Sequence, residues 1–284
     1  MTATTRRALV LGGGGIFGIA WELGLLTGLA EAGLDVIADA DVIVGTSAGS
    51  TVAAQVTGGM PLREVYERQL APAEGELTAP FDADKMQAVF IDAIRAGSSG
   101  PERRARIGKL ALSTDTVPET ARLEVIRQRL PRHTWPERDV RVVAVDAETG
   151  EPAVFDRSGS VGLVEAVAAS CAVPGIWPAV SIDGRRFIDG GIRSTTNADL
   201  VADADIVLIL APMPDLVSVL DPEIGAAVEQ VTSRAGTLSI GPDDVSSAVA
   251  GTNPLDPASR APAAKAGLAQ AESVVDAVRQ LWRS

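Results

Sequence analysis

Cysteine, histidine and aromatic residues are scarce in this sequence of 284 residues, which has one cysteine, Cys171, one histidine, His133, and 4% aromatic residues. A single cysteine excludes an internal disulfide and a cysteine-based zinc site, and it favours a reducing compartment. Long apolar runs are also missing, since the longest, such as Ile206–Pro214, are too short to span a bilayer. The segment Met1–Leu11 lacks the hydrophobic core and cleavage site of a signal peptide. We therefore predict a cytoplasmic protein without a transmembrane segment.

Positive charge is in deficit, with 25 Lys and Arg against 37 Asp and Glu, and the formal net charge is −12. This balance argues against nucleic acid as a partner and against long-range attraction to anionic membranes, so we expect at most transient contact with a membrane surface. The acidic residues show no metal-ligand spacing, and we expect no metal ion and no cofactor. No sequence feature indicates the oligomeric state.

The apolar residues that are present, 46% of the chain, are mostly aliphatic. Short buried strands alternate with amphipathic helices, which predicts a three-layer α/β/α fold with a largely parallel central sheet. Residues 72–135 do not show this alternation of strands and helices, because Pro and Gly breaks separate helical stretches. We expect a helical, cap-like insertion there. Residues 254–283 predict a C-terminal helix. We expect residues 1–284 to form a single domain.

The motif Gly45-Thr46-Ser47-Ala48-Gly49 follows a predicted strand and opens a predicted helix. A serine between two glycines in this setting is typical of a nucleophile elbow, in which the strained turn exposes the hydroxyl and the helix N-terminus favours negative charge beside it. The motif by itself is common by chance, and a helix-capping serine is its structural alternative. The strand before it and the helix after it favour Ser47 as a nucleophile.

A glycine-rich loop, Gly12–Gly15 with Gly18, joins the first predicted strand to the first predicted helix. Free backbone N–H groups at a helix N-terminus bind anions, so the loop can hold a phosphate or the oxyanion of a tetrahedral intermediate. It also satisfies the dinucleotide fingerprint, which requires a ribose-binding acid at the end of the second strand. Asp39 and Asp41 precede the strand Val42–Val44, and the nucleotide alternative leaves the serine motif unexplained.

The general base must be chosen from few candidates. His133 lies in a loop-like segment, which indicates a solvated or structural residue. Asp189 follows a predicted strand and precedes Gly190-Gly191, which leaves space around it. A carboxylate is a weak base at its ordinary pKa, so burial would have to raise the pKa of Asp189. An Asp-Gly-Gly turn without catalytic function is the alternative.

In this order the three motifs resemble the patatin-like phospholipase family, and the resemblance covers residues 7–60 and 140–212. It implies a patatin-like fold and a lipid or ester substrate. It also implies that Ser47 is the nucleophile, that Asp189 is its dyad partner, and that the loop residues form the oxyanion hole. The predicted oxyanion-hole residues are Gly13, Gly14 and Gly15. The predicted motif-supporting residues are Gly12, Gly18, Gly45, Gly49, Gly190 and Gly191.

One position departs from the family pattern. Members commonly carry Arg or Lys before the last glycine of the loop, whereas this chain has Phe17. The missing charge favours a neutral lipid or simple ester over a phosphorylated head group. Three other functions stay open at this stage: an acyltransferase with the same dyad, a dinucleotide-binding oxidoreductase, and a non-catalytic lipid-binding module.

Overall fold

A computed structural model describes residues 5–72, 75–77, 83–214 and 217–283. Eight strands form one sheet, whose central strands are short, aliphatic and almost wholly buried. The strands are β1 Arg7–Leu11, β2 Val42–Thr46, β3 Asp139–Asp146, β4 Pro152–Phe155, β5 Val180–Ile182, β6 Arg185–Asp189, β7 Ile206–Leu210 and β8 Thr237–Ile240.

Twelve α-helices lie within the described residues. They are α1 Gly15–Glu31, α2 Val36–Asp39, α3 Ala48–Val56, α4 Leu62–Leu70, α5 Ala83–Ala96, α6 Gly100–Ser113, α7 Glu119–Arg129, α8 Leu163–Ser170, α9 Val217–Leu220, α10 Pro222–Thr232, α11 Asp244–Ala250 and α12 Arg260–Trp282.

The sheet order is β5-β6-β3-β2-β1-β7-β8, with β4 also paired to β3. The run β3-β2-β1-β7-β8 is parallel throughout. Alternate residues of β1 enter different cores: Leu9 and Leu11 pack with α1, α3 and α12, whereas Ala8 and Val10 pack with α10 on the opposite face. This confirms the expected three-layer α/β/α fold with a largely parallel sheet.

Strand β3 is longer than its neighbours, and this length brings two strand ends together. Strand β2 pairs with β3 as far as Thr46 opposite Val143. Antiparallel β6 pairs with the next part of β3, beginning with Asp189 opposite Ala144. Because β4 occupies the other edge of β3 at these positions, β2 and β6 lie along the same edge and run towards each other. Their carboxyl ends therefore meet.

Helix α1 is buried on nearly all sides because the sheet covers one face and α12 covers another. The two helices approach closely at small residues: a Cβ atom at Gly24 would lie 2.1 Å from the carbonyl oxygen of Ala264. At the same contact the indole N–H of Trp21 donates to Oε1 of Gln270 at 2.8 Å. The tail of the chain is thus part of the main core.

Several details differ from the sequence prediction. The sequence analysis did not predict strand β8 or helices α10 and α11. Strand β8 is half-exposed and its apolar residues alternate only weakly, so its place in the sheet is set by pairing with β7. Helix α1 begins at Gly15 and not at Ile19, since the helical backbone starts within the glycine loop itself. The Asp183-Gly184 turn predicts a hairpin of β5 and β6, which the structure has, but the antiparallel pairing of β6 with β3 was not indicated by the sequence.

Candidate active site

Ser47 stands at the junction of β2 and α3 with φ 51° and ψ −114°, a conformation that is costly for a residue with a side chain. Packing holds the turn in place. The backbone N–H of Ser47 donates to Oγ of Ser170 at 2.9 Å. Gly49, one turn into α3, lies against β1 so closely that a Cβ atom there would be 2.0 Å from the carbonyl oxygen of Leu11. The local geometry is therefore that of a nucleophile elbow.

Asp189 lies at the end of β6, directly opposite the end of β2. The Ser47 hydroxyl donates to Oδ2 of Asp189 at 2.7 Å, and the N–H of Gly191 donates to Oδ1 at 2.7 Å. Both members of the pair are buried, Ser47 being 8% and Asp189 5% exposed. Residue 190 must be glycine, because a Cβ atom would lie 2.2 Å from the carbonyl oxygen of Val143. The structure therefore brings the predicted nucleophile and base into direct contact.

Burial raises the pKa of Asp189 to about 7. Hydrogen bonds from Gly191 and Ser47 and the positive charge of Arg122 act in the opposite direction and only partly offset burial. A carboxyl group with this pKa changes its charge near neutral pH, as a general acid or base requires. The sequence argument needed such a rise, and the structure supplies its physical cause.

The glycine loop passes beside Ser47, and its four N–H groups are not equivalent. Gly12 donates to the carbonyl oxygen of Leu210 at 2.9 Å, and Gly13 donates to that of Thr195 at 2.8 Å. The N–H groups of Gly14 and Gly15 form no hydrogen bond to any described residue. The N–H of Gly13 thus holds the loop to a neighbouring segment, and its predicted role in an oxyanion hole stays a prediction.

The remaining motif glycines fix the positions of these elements. Gly18 donates its N–H to the carbonyl oxygen of Gly14, and a Cβ atom at Gly18 would lie 3.2 Å from Cβ of Ala48. A Cβ atom at Gly45 would lie 2.6 Å from Cα of Ser50. These close approaches pack α1, β2 and α3 around the two motifs.

Glu22 supports the loop from below and was not predicted. Its side chain is fully buried in α1, and Oε1 accepts the N–H of Gly12 at 2.9 Å, whereas Oε2 has no partner among the described residues. Burial raises the pKa of Glu22 well above its ordinary value, against the smaller opposing effect of the Gly12 hydrogen bond. Burial therefore favours the protonated form of this carboxyl group. A glutamate within an apolar helical face was the only sequence signal for it.

Asn197 links the two halves of the pair and was also not predicted. It is fully buried in a left-handed conformation with φ 52°. Its Nδ2 donates to Oγ1 of Thr46 at 2.9 Å and to the carbonyl oxygens of Ser194 and Gly190 at 2.7 and 3.4 Å. Thr46 precedes Ser47 and Gly190 follows Asp189, so one amide group holds both neighbours. No spacing in the sequence indicated this role.

A narrow cavity of about 20 Å³ opens at Ser47 and is called the Ser47 cavity below. Gly15 contributes to its wall, as do several apolar side chains and two arginines of α7. Its lining side chains include Ile16, Ile19, Arg122, Arg129 and Trp177. A second cavity of about 130 Å³, the polar cavity, shares Ile16, Ile19 and Arg129 with it and is also lined by Arg260. The two cavities therefore adjoin at these three shared residues.

Of the other chemically reactive side chains, His133 lies outside this arrangement, whereas Cys171 packs against the backbone of Ser47. His133 is exposed, and its Nε2 lies 3.0 Å from the carbonyl oxygen of Arg127. Cys171 is buried, and its Sγ lies 3.2 Å from the carbonyl oxygen of Ser47. Burial raises the pKa of the Cys171 thiol, so it packs as a neutral group. In the described part of the chain, no group of three or more His, Cys, Asp or Glu residues is arranged to hold a metal ion.

A three-layer α/β/α fold that places a serine elbow, a buried carboxyl group and a glycine loop at one edge of its sheet defines a class of enzymes that hydrolyse carboxylic esters. The family model described as patatin-like phospholipase matches residues 9–202, which is more than half of the chain. This chain belongs to the patatin-like phospholipase family. Family members are lipid-ester hydrolases, and the chain is an enzyme of that kind.

Two solved structures are similar to this chain at low identity. VipD from Legionella pneumophila matches with a TM-score of 0.48 and 16% identity over 96% of this chain and 67% of VipD. The type III effector protein ExoU matches with a TM-score of 0.41 and 17% identity over 99% of this chain and 54% of ExoU.

Among the helices of this chain that the structure describes, none combines the length and apolar character needed to cross a bilayer.

Proposed function

We propose that this chain hydrolyses carboxylic esters of lipids through a catalytic dyad of Ser47 and Asp189. Asp189 accepts the Ser47 proton while Oγ attacks the ester carbonyl carbon, and the tetrahedral intermediate collapses as Asp189 returns the proton to the leaving alcohol. Water then attacks the acyl enzyme by the same route, with Asp189 again as base, and releases the fatty acid. The serine is regenerated and no other reactant is consumed.

The observation that carries this proposal is the 2.7 Å hydrogen bond from Ser47 Oγ to Oδ2 of Asp189. Its effect depends on burial, because the same contact in water would leave the aspartate with the low pKa of a poor base. With a pKa of about 7, Asp189 is a much stronger base than an ordinary aspartate and is still largely ionised at slightly alkaline pH.

For the oxyanion hole we propose the N–H groups of Gly14 and Gly15. They lie at the N-terminus of α1, where the helix dipole adds positive potential, and they form no hydrogen bond with the described residues. Gly13 supports the hole by position, since a Cβ atom there would lie 3.6 Å from Cβ of Ser47. We further propose that residues 1–284 act as one domain, in which 72–135 covers the site through α7.

Two alternatives differ in what the site would do. An acyltransferase with the same dyad would transfer the acyl group to an alcohol in preference to water. With added glycerol, an acyltransferase would form mainly the glycerol ester, whereas a hydrolase would form mainly the free acid. The dinucleotide alternative loses support because Pro254 and Leu255 cover the start of α1: a Cβ atom at Gly15 would lie 2.7 Å from the Pro254 carbonyl oxygen. The Pro254 carbonyl oxygen also accepts the N–H of Phe17 at 3.0 Å, so this first-turn N–H group is not free to bind a pyrophosphate.

The direct test is covalent labelling with a fluorophosphonate, followed by mapping of the modified residue. We expect a single label on Ser47, no label in Ser47→Ala, and loss of nitrophenyl ester hydrolysis in Ser47→Ala and Asp189→Ala. The control is His133→Ala, whose side chain is exposed, and it should retain activity. An unlabelled but folded protein would support the non-catalytic lipid-binding module, and a loss of activity in His133→Ala would require a triad.

A further inference from the structure

One segment of the chain, residues 190–199, contacts both sides of the dyad and is called the connecting segment below. On the side of the base, the N–H of Gly191 donates to Oδ1 of Asp189 at 2.7 Å. On the side of the nucleophile, Nδ2 of Asn197 donates to Oγ1 of Thr46 at 2.9 Å. The connecting segment therefore holds the base directly and the serine through the residue that precedes it.

The connecting segment also holds the glycine loop. The carbonyl oxygen of Thr195 accepts the N–H of Gly13 at 2.8 Å. The next two residues, Gly14 and Gly15, carry the N–H groups proposed above for the oxyanion hole. A displacement of the Thr195 carbonyl would therefore move these donors relative to Ser47.

The side chain of Arg193 closes the connecting segment on itself. It is buried, and its Nη1 and Nη2 atoms donate to Oδ1 and Oδ2 of Asp199 at 2.9 and 2.6 Å. Nη1 also donates to Oδ1 of Asn197 at 2.6 Å. A two-point contact between a guanidinium and a carboxylate fixes both the distance and the orientation of the two groups. Thr195 lies midway between Arg193 and Asn197 in the chain, so these contacts restrict the turn that carries its carbonyl.

Arg193 also favours one orientation of the Asn197 amide. A guanidinium can only donate hydrogen bonds, so it can face the amide oxygen but not the amide nitrogen. Nδ2 then faces Thr46 and the carbonyl oxygens of Ser194 and Gly190, all of which accept its protons. The reversed amide would bring donors together at the guanidinium and acceptors together at the two carbonyls. The ion pair and the amide thus form one network.

We propose that Arg193 is a positioning residue for ester hydrolysis, which acts through Asn197 to keep the connecting segment, the dyad and the glycine loop in alignment. This inference rests on the proposed function and adds a residue whose side chain donates only to Asn197 and Asp199 among the described residues. Catalysis needs its reacting groups closely aligned, so a loosened segment should slow the chemical step more than it weakens substrate binding.

The experiment measures kcat and KM for hydrolysis of nitrophenyl butyrate in Arg193→Met, Asn197→Ala and the double variant. We expect Arg193→Met to lower kcat about tenfold and to change KM by less than about twofold. Because Arg193 acts through Asn197, the kcat of the double variant should lie within about twofold of that of Asn197→Ala alone. Arg193→Lys keeps the charge but not the planar fork, so it should lose less activity than Arg193→Met.

The matched control is Arg104→Met. Arg104 lies on α6, is 2% exposed and donates to Oδ2 of Asp221 at 2.6 Å, so this variant also removes a buried ion pair, but outside the connecting segment. It should lower the Tm as Arg193→Met does and leave kcat unchanged when activity is measured well below the Tm. If Arg193→Met does not fold, Arg193→Lys and Asp199→Asn decide, because each removes the two-point contact and should lower kcat without changing KM.

Hydrogen exchange provides a readout that needs no turnover. The N–H of Gly13 should exchange about tenfold faster in Arg193→Met than in the wild-type protein, because the Thr195 carbonyl that accepts it is less restrained. Arg104→Met should leave this exchange rate unchanged. A wild-type protein that does not hydrolyse the ester, together with faster exchange in Arg193→Met, would contradict the proposed function and still support the link from Arg193 to the glycine loop.

Two results would overturn the inference. One is a double variant in which the losses of kcat in Arg193→Met and Asn197→Ala multiply, because the two residues would then act independently. The other is an Arg193→Met variant that folds and has the kcat and the Gly13 exchange rate of the wild-type protein, because the ion pair would then contribute to stability alone.

Discussion

The substitution Asp189→Asn tests the electrostatics of the dyad through stability as well as activity. Burial raises the pKa of Asp189 from the ordinary value of 3.8 to about 7, so the folded protein binds this proton more tightly than the unfolded chain does. The stabilisation that the folded protein gains by binding this proton is complete below about pH 4 and is lost as the pH rises to about 7. Above pH 7 the wild-type protein is therefore destabilised by the buried charge of Asp189, whereas the Asp189→Asn variant has no charge at this position and is not.

The magnitude follows from the two pKa values. Each pH unit between them corresponds to about 1.4 kcal/mol, so the stability of Asp189→Asn relative to wild type should rise by about 4 kcal/mol between pH 4 and pH 8. Asparagine preserves the local contacts, because its oxygen can accept the Gly191 N–H and its amide can donate to Ser47. Activity depends on the same group, so kcat/KM of the wild type should increase with pH, reach half of its maximum near pH 7 and level off about one unit higher.

The assay is urea unfolding of both proteins at several pH values between about 4 and 8.5, beside the pH profile of nitrophenyl ester hydrolysis. The matched control is Asp146→Asn, on neighbouring β3. Burial tends to raise the pKa of Asp146, but hydrogen bonds from Thr149 N–H and Arg185 outweigh burial and lower it, so Asp146→Asn should destabilise most at neutral pH and least in acid. A stability difference for Asp189→Asn that is independent of pH would refute the reasoning.

Three further predictions concern the residues that position the site, and each is checked by urea unfolding. Glu22→Gln should change stability by less than about 1 kcal/mol at neutral pH because burial already favours the uncharged carboxyl, whereas Glu22→Ala should cost about 2–3 kcal/mol through the cavity it leaves; equal costs would contradict this. Gly49→Ala should cost about 3 kcal/mol or more because its Cβ would lie 2.0 Å from the Leu11 carbonyl oxygen, whereas Gly13→Ala should cost less than about 1 kcal/mol. Asn197→Ala should cost about 3 kcal/mol and reduce kcat, since it releases both neighbours of the dyad; retention of full activity would show that the amide link is dispensable.

The sequence by itself determined the local features of this protein. Glycines at 45 and 49 are required because a Cβ atom would lie 2.6 Å from Cα of Ser50 at the first position and 2.0 Å from the carbonyl oxygen of Leu11 at the second, and such a requirement shows directly in the sequence. The aliphatic strands, the serine turn and the Asp-Gly-Gly turn are likewise recognisable, since each depends on residues that are close in sequence. The fold class and the family followed from these motifs.

Tertiary structure alone decided what those motifs do to one another. The meeting of Ser47 and Asp189 depends on the length of β3, which aligns two opposed strands on one edge, and no local pattern encodes such an alignment. The pKa of Asp189 depends on burial by the whole fold. Sequence marked Arg122 only as a residue of a predicted helix, whereas packing buries it in the cavity that Ser47 also lines and leaves its Nε and Nη1 without a hydrogen-bond partner among the described residues, because desolvation and hydrogen bonding are set by neighbours in space.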